Sequence, residues 1–264
     1  GFSTTPANNI VYFGPTRAVV SAATTTSLTV TVPSGATHSN LVVLNSDNSL
    51  IGMSNNFFTP IFTPSRANIL STDYAPRVSF AGVRAAQYIA VGDLDGDGKP
   101  DLAIGHNTPQ NVITVYRYKS SAGIVNSSSF AAAVNISVGS YPGALSLGDL
   151  DGDGKLDIVV CNGNSSNISI LRNISTVGSI STSSFSPAVN YSTGTAPINV
   201  ALRDIDNDGK LDITVANKNS NSISIFKNNS SIGVINSNSF LPKIDLTTPS
   251  APYFFTYGDL DGDG

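Results

Sequence analysis

Four short aspartate-rich loops recur along this 264-residue chain, and they constrain its fold more than any other feature. The loops read DLDGDGKPD from Asp93, DLDGDGKLD from Asp149, DIDNDGKLD from Asp204 and DLDGDG from Asp259, at spacings of 56, 55 and 55 residues. The chain contains no glutamate, and fifteen of its eighteen aspartates lie in these loops. A motif repeated at this period predicts a repeat protein in which each unit carries one loop.

The loops have the composition of a calcium site. Carboxylates on alternate residues, separated by glycines that permit left-handed backbone, can direct several hard oxygens at one centre. Each complete loop offers four aspartates and the backbone carbonyl of a lysine, whose side chain we expect to point to solvent. The predicted Ca²⁺ ligands are Asp93, Asp95, Asp97, Lys99 and Asp101; Asp149, Asp151, Asp153, Lys155 and Asp157; Asp204, Asp206, Asp208, Lys210 and Asp212; and Asp259, Asp261 and Asp263 of the fourth loop, which lacks the ninth-position aspartate.

Other interpretations of these loops fit the sequence less well. An EF-hand loop needs a bidentate Glu at position 12 and a helix on either side, whereas position 12 here is Ile104, Val160 or Val215. A catalytic metal keeps an open coordination position beside an acid or base group, and the loops supply no such group. Turns that bind nothing would leave four carboxylates crowded without a counter-charge. The sequence therefore predicts structural metal sites and no enzyme activity.

Each repeat unit holds four extended segments. A unit begins near an aromatic residue (Tyr74, Phe130, Phe185 or Phe240) with an extended segment, continues as an apolar run into the loop, and resumes as a second apolar run and an alternating segment. This is the content of one four-stranded propeller blade. A β-sandwich with duplicated hairpins does not require the same loop in every unit, and parallel β-helix repeats are much shorter. The predicted fold class is all-β, with a partial, open β-propeller of four-stranded blades.

The DxDGDGxxD loop, with apolar strands on both sides and a blade-length period, resembles the FG-GAP/VCBS repeat of integrin α-subunit propellers and their bacterial relatives. We assign residues 63–264 to such repeats. The resemblance implies a seven-bladed propeller with calcium loops on its lower rim, used for adhesion, ligand display or support of a neighbouring catalytic domain. Because three complete units and the start of a fourth cannot close such a ring, we expect an open arc whose missing blades belong to the parent chain.

Residues 1–62 carry no such loop and are predicted to form a separate domain. They resemble a partial IPT/TIG immunoglobulin-like domain through the segments at residues 9–14, 18–22 and 28–35. The alternating run from Leu28 to Val32 is typical of a half-buried strand. The resemblance implies an immunoglobulin-like β-sandwich fragment that acts as a spacer or binding module on secreted and surface proteins.

Composition excludes several classes of partner. Only 12% of the residues are charged, and no basic cluster is interleaved with aromatics, so we expect no nucleic-acid binding. No apolar stretch is long enough to cross a bilayer, so we expect no membrane insertion. Isolated polar residues receive structural interpretations: a core position for Cys161, turn or surface positions for His38 and His106, and the solvated face of an outer strand, rather than a binding stripe, for Arg117, Arg172 and Lys227.

These observations predict a calcium-binding module, secreted or on the cell surface, that serves adhesion or ligand recognition. Its partner would be an unidentified protein or glycan. The alternative is an accessory, non-catalytic propeller of a secreted polysaccharide-degrading enzyme.

Overall fold

A computed structural model describes residues 1–33, 36–58, 77, 79, 85–106, 110–121, 125–126 and 128–258, and this part of the chain is almost entirely β. Its strands form one five-stranded sheet and three four-stranded sheets, all with antiparallel pairing. The described residues also include two short 3-10 helices, Pro6–Asn8 before the first strand and Thr182–Ser184 between two strands. None of the described helices is long and apolar enough to cross a membrane.

The three four-stranded sheets are blades, because each is a simple meander of consecutive strands. Blade 1 contains β6 (Ala86–Gly92), β7 (Asp101–His106), β8 (Val112–Tyr116) and β9 (Val134–Ser137). Blade 2 contains β10 (Pro142–Gly148), β11 (Asp157–Asn162), β12 (Asn167–Leu171) and β13 (Val189–Ser192). Blade 3 contains β14 (Pro197–Arg203), β15 (Asp212–Asn217), β16 (Ser222–Phe226) and β17 (Ile244–Thr247). Strand β10 contacts both β6 and β14, so the first strands of neighbouring blades lie side by side.

This arrangement is an open propeller-like arc, and the prediction of an all-β, partial propeller with four-stranded blades is confirmed. The predicted boundary between units was wrong by one strand. The extended segment after Phe130 pairs with β8, through Val112 opposite Ser137 and Val115 opposite Val134, and so closes blade 1 instead of opening blade 2. A repeat period fixes the length of a unit but not where along the unit one blade ends. The corresponding segment after Tyr74 lies outside the described residues.

The second strand of each blade forms the centre of the core. All six residues of β11 and all six of β15 are buried, because each strand is paired on both edges and covered on both faces. One apolar cluster joins blades 1 and 2, and another joins blades 2 and 3. Cys161 lies in the second cluster with no exposed surface, and burial raises the pKa of its thiol. Its predicted role as a core residue is confirmed.

The N-terminal sheet has the strand order β3-β2-β1-β4-β5. Its strands are β1 (Asn9–Phe13), β2 (Thr16–Ala23), β3 (Leu28–Thr31), β4 (Ser39–Asn45) and β5 (Leu50–Phe58). The likeness of this hydrogen-bonded sheet to an IPT/TIG domain stays a prediction, as does the domain boundary at residues 62 and 63, which lies outside the described residues.

Both faces of the central strand β1 are covered, and every residue of the strand is buried. Val11 and Phe13 pack with Ala18 in a cluster within the sheet. Ile10 and Tyr12, on the opposite face, join the apolar cluster of blades 1 and 2. The N-terminal sheet is therefore packed onto the blades.

Candidate metal centre

Each described aspartate loop connects the first and second strands of a blade and folds around its own carboxylates. In the first loop, the backbone amide of Leu94 donates to Asp101 Oδ2 at 2.9 Å, and that of Gly98 donates to Asp93 Oδ2 at 2.9 Å. The second loop repeats both bonds, from Leu150 to Asp157 and from Gly154 to Asp149. These bonds require a left-handed backbone at the sixth position, where the glycines have φ of +82° and +83° in the first and second loops.

Three aspartates of each described loop converge. The carboxylates at loop positions 1, 3 and 9 each offer an oxygen, and these oxygens lie within 4.8 Å of one another. The triads are Asp93, Asp95 and Asp101; Asp149, Asp151 and Asp157; and Asp204, Asp206 and Asp212. The first two triads are buried, whereas the third has an exposed member at position 3. The structure thus brings together nine of the predicted ligands in clusters that could hold a metal ion.

The fifth-position aspartate of each described loop meets a basic side chain from the end of the third strand. Asp97 Oδ2 accepts a hydrogen bond from Arg117 Nη2 at 2.6 Å, while Arg117 Nε donates to Asp95. Arg172 pairs with Asp151 and Asp153 in the same way. The prediction that Arg117 and Arg172 lie on a solvated outer face was wrong, since their side chains are only 19% and 23% exposed and turn into the loops.

Lys227 makes the corresponding contacts with Asp206 and Asp208 in the third loop. Pairing with Lys227 lowers the pKa of the Asp206 carboxyl.

The loop lysines also differ from the prediction that they point to solvent. Lys155 Nζ donates to the Ser175 carbonyl at 2.8 Å, and Lys210 Nζ donates to the Ser230 carbonyl at 2.8 Å. Lys99 Nζ lies 3.3 Å from Asp97 Oδ2. The lysine side chains therefore help to fix the loops, while the ligand role of their backbone carbonyls stays a prediction. The fourth loop, with Asp259, Asp261 and Asp263, lies outside the described residues.

Burial makes the loop carboxylates hard to ionise without a counter-ion. Loss of solvation raises the pKa of Asp93 to about 6, of Asp149 to about 7 and of Asp101 to about 8. The same cause raises the pKa of Asp157 well above its usual range. The backbone amides of the loops oppose these shifts only in part. A cation bound among these oxygens would favour the ionised form.

One buried oxygen without a hydrogen-bond partner also favours a bound cation. Asp149 Oδ1 is buried and accepts no hydrogen bond, although buried polar atoms nearly always have a partner. The ligand atoms grouped with it are carboxylate oxygens of Asp151 and Asp157, which suit Ca²⁺. The residues of the second loop therefore fit a calcium ion, held by Asp149, Asp151 and Asp157. Bound there, the ion would neutralise the clustered carboxylates and join the two strands that the loop connects.

Each of the first two loops is also clamped by the next blade. Asn173, the second residue after the third strand of blade 2, donates from Nδ2 to the carbonyls of Leu94 at 2.8 Å and Leu156 at 2.9 Å. Ser175 Oγ donates to the same Leu94 carbonyl at 2.8 Å. Leu94 is the second residue of the first aspartate loop, so the loop of blade 1 is held by side chains of blade 2.

Blade 3 repeats this clamp on blade 2. Asn228 Nδ2 donates to the carbonyls of Leu150 and Leu211, both at 2.9 Å, and Ser230 Oγ donates to Leu150 at 2.7 Å. The backbone amide of Gly233 adds a bond of 3.0 Å to the Asp151 carbonyl. Sequence reasoning missed the clamp, although an Asn-x-Ser triplet at the same offset in two units was a visible signal.

The N-terminal sheet covers the first two loops from another side. The Tyr12 hydroxyl donates to the Gly154 carbonyl at 2.7 Å, and the Asp93 backbone amide donates to the Pro15 carbonyl at 2.9 Å. A cavity of about 40 Å³ between these elements is lined by Tyr12, Asp93 and Lys155, among other residues. Burial raises the pKa of the Tyr12 hydroxyl. The first two candidate metal centres therefore lie in the interior, between the blades and the N-terminal sheet.

The two histidines take different positions. His38 is exposed, as predicted. His106 is buried at the end of β7, contrary to the prediction of a surface or turn position, and its Nε2 lies 2.7 Å from Thr114 Oγ1. Thr114 in turn donates to Asn135 Oδ1 at 2.8 Å. This network links the second, third and fourth strands of blade 1 and has a structural role.

Comparison with known families agrees with the repeat geometry. The family model described as FG-GAP-like repeat matches residues 93–160, 149–215 and 204–264. Each of the first two matches runs from the first aspartate of one loop into the strand after the next loop. Together the matches cover more than half of the chain. No curated protein matches the chain.

Proposed function

The chain belongs to the FG-GAP-like repeat family, and from that premise we propose that it is a non-enzymatic, calcium-stabilised propeller module for ligand recognition outside the cell. The observation that supports this proposal best is the convergence of three carboxylates in each described loop, with a buried acceptor at Asp149 Oδ1 that has no partner. Calcium at these points would supply the missing counter-charge. FG-GAP repeats are typical of extracellular proteins, where calcium is abundant.

Calcium would act here through the interfaces between blades. The first two loops accept hydrogen bonds from Asn173 and Asn228 of the following blades, and the Gly154 carbonyl accepts one from Tyr12 of the N-terminal sheet. A loop fixed by an ion therefore fixes the position of the next blade. The exposed loops of a rigid arc could then present a constant surface to a protein or glycan partner. An adhesion module and an accessory propeller of a polysaccharide-degrading enzyme would use this same scaffold. They would differ in the surface that recognises the partner.

Calcium binding is tested by titration calorimetry and by thermal unfolding with calcium or chelator. Sites with Kd on the order of 10⁻⁴–10⁻³ M, as in extracellular modules, would each add about 0.4–1.4 kcal/mol of stability at about 1 mM calcium. We expect calcium to raise the melting temperature by several degrees, and magnesium to do so less well.

A matched pair of variants locates the effect. Asp149→Asn removes a triad carboxylate, whereas Asp47→Asn removes an exposed carboxylate outside the loops. The first variant should lose part of the calcium response, and the second should keep all of it. Identical melting curves in calcium and chelator for the unsubstituted protein would refute the calcium proposal.

Ligand recognition is tested by solid-phase binding to arrayed glycans and extracellular glycoproteins. The expected result is a signal that is present in calcium and reduced in chelator. Binding at equal strength in both conditions would contradict a calcium-supported recognition surface.

A further inference from the structure

A basic side chain enters each of the three described loops from the end of the third strand of the same blade. Arg117 follows β8, Arg172 follows β12 and Lys227 follows β16. Each one pairs with the loop aspartates at positions 3 and 5. The second Arg172 contact, from Nη2 to Asp153 Oδ2, measures 2.7 Å. One positive charge therefore lies against one member of the candidate metal triad and the aspartate next to it in the motif.

The solvent exposure of the basic side chain and of its aspartate partner differs between the loops. The side chains of Arg117 and Arg172 are 19% and 23% exposed, and their third-position partners are fully buried. Lys227 is 43% exposed and its partner Asp206 is 40% exposed. Solvent screens the third pair far more than the first two.

We propose that these basic side chains are built-in competitors of the metal ion, which hold the empty loop closed and lower its affinity for calcium. This inference rests on the proposed calcium-binding function. Without an ion, four carboxylates share each loop, and the guanidinium or ammonium group is the cation that offsets their repulsion. When calcium binds, the same group faces a divalent cation of like sign across the third-position carboxylate.

The consequence follows from thermodynamic linkage. A group that stabilises the metal-free loop more than the metal-bound loop must weaken metal binding by the difference. The fifth-position carboxylates Asp97 and Asp153 each have Oδ2 on an arginine and Oδ1 on a backbone amide of the loop, so an ion bound to either oxygen must share it with an existing donor. The repeats would then stay folded when calcium is scarce and respond to calcium at extracellular concentrations.

The decisive variant is Arg172→Gln, measured in the whole chain by calcium titration calorimetry and by thermal unfolding in chelator. We expect one site to gain about tenfold in calcium affinity, since a unit charge a few ångströms from a divalent ion has an effect of this order even in water. The melting temperature in chelator should fall, and the melting temperature in saturating calcium should fall less.

Three further variants separate charge from shape and from general destabilisation. Arg172→Lys keeps the charge and should keep the affinity close to that of the unsubstituted chain. Lys243→Gln breaks an ion pair with Asp245, outside the loops, and should leave calcium affinity unchanged. Lys227→Gln should raise the affinity of the third loop by less than Arg172→Gln raises that of the second, and it tests the proposal if Arg172→Gln does not fold.

The outcomes are distinguishable. Unchanged or weaker calcium binding by Arg172→Gln, with the unsubstituted chain binding calcium, would overturn the inference and leave the proposed function standing. A fall in melting temperature of equal size in chelator and in calcium would also overturn it, because the arginine would then be structural only. Failure of the unsubstituted chain to bind calcium would refute the proposed function itself.

Discussion

The Asn-x-Ser clamp between blades makes a quantitative prediction for Asn228→Ala. Asn228 is 1% exposed, donates from Nδ2 to two carbonyls and accepts from the Ser230 amide at 2.8 Å. The substitution removes the donor to the Leu211 carbonyl and the acceptor for the Ser230 amide. The Leu150 carbonyl keeps its bond from Ser230 Oγ.

The expected loss of stability follows from the Leu211 carbonyl and the Ser230 amide, which the substitution leaves without these hydrogen-bond partners. A buried polar group left without a partner costs about 1–3 kcal/mol, so two such groups predict a loss of about 3 kcal/mol once water enters the gap. For a chain of this size, that loss corresponds to a fall in melting temperature of about 6–12 °C.

The assay is urea and thermal unfolding followed by circular dichroism, because the chain has no tryptophan. Asn229→Ala is the matched control, since Asn229 is the next residue and is exposed. We expect that control to change stability by less than about 0.5 kcal/mol. Equal effects of the two substitutions, or a loss below about 1 kcal/mol for Asn228→Ala, would refute the clamp.

Three other predictions concern pH, packing and the thiol. In chelator, the melting temperature should fall as pH rises from about 4 to about 8. Burial raises the pKa of loop carboxyls, as for Asp149 to about 7, so the folded state holds more protons than the unfolded chain in that window. Calcium should remove this fall, and a stability that rises with pH in chelator would contradict the reasoning. Gly154→Ala should destabilise the protein more than Gly98→Ala, because both glycines have φ near +82° but only at Gly154 would a Cβ overlap Ile10 of the N-terminal sheet; equal melting temperatures would show that the sheet does not pack there. The Cys161 thiol should react with a thiol reagent only after unfolding, and rapid modification of the folded protein would contradict its burial.

Local features of the sequence predicted the chemistry of the loops. Alternate aspartates and glycines within nine residues determine how the backbone wraps, because bonds such as that from Gly98 to Asp93 join residues only five apart. The β-branched runs between turn residues predicted strands for a similar reason, since such side chains favour extended backbone and pack on a pleated surface.

Contacts between residues that are far apart in the sequence could not be predicted from the sequence. Arg117 and Asp97 are 20 residues apart, and Tyr12 and Gly154 are 142 apart, so no local pattern pairs them. A basic residue at the end of a strand is usually solvated, and only the return of that strand beside the loop turns Arg117 towards carboxylates. His106 was misplaced for the same reason, because its burial depends on the neighbouring strands of blade 1.

The sequence by itself determined the repeat period, the β class and the carboxylate clusters of this protein, because these depend on residue types at short spacing. The tertiary structure alone decided where one blade ends, which blade clamps which loop, and that the N-terminal sheet covers the first two loops. The physical reason is that a repeat pattern is unchanged when its starting point is shifted. Only the pairing of distant strands and the burial of their side chains select one arrangement.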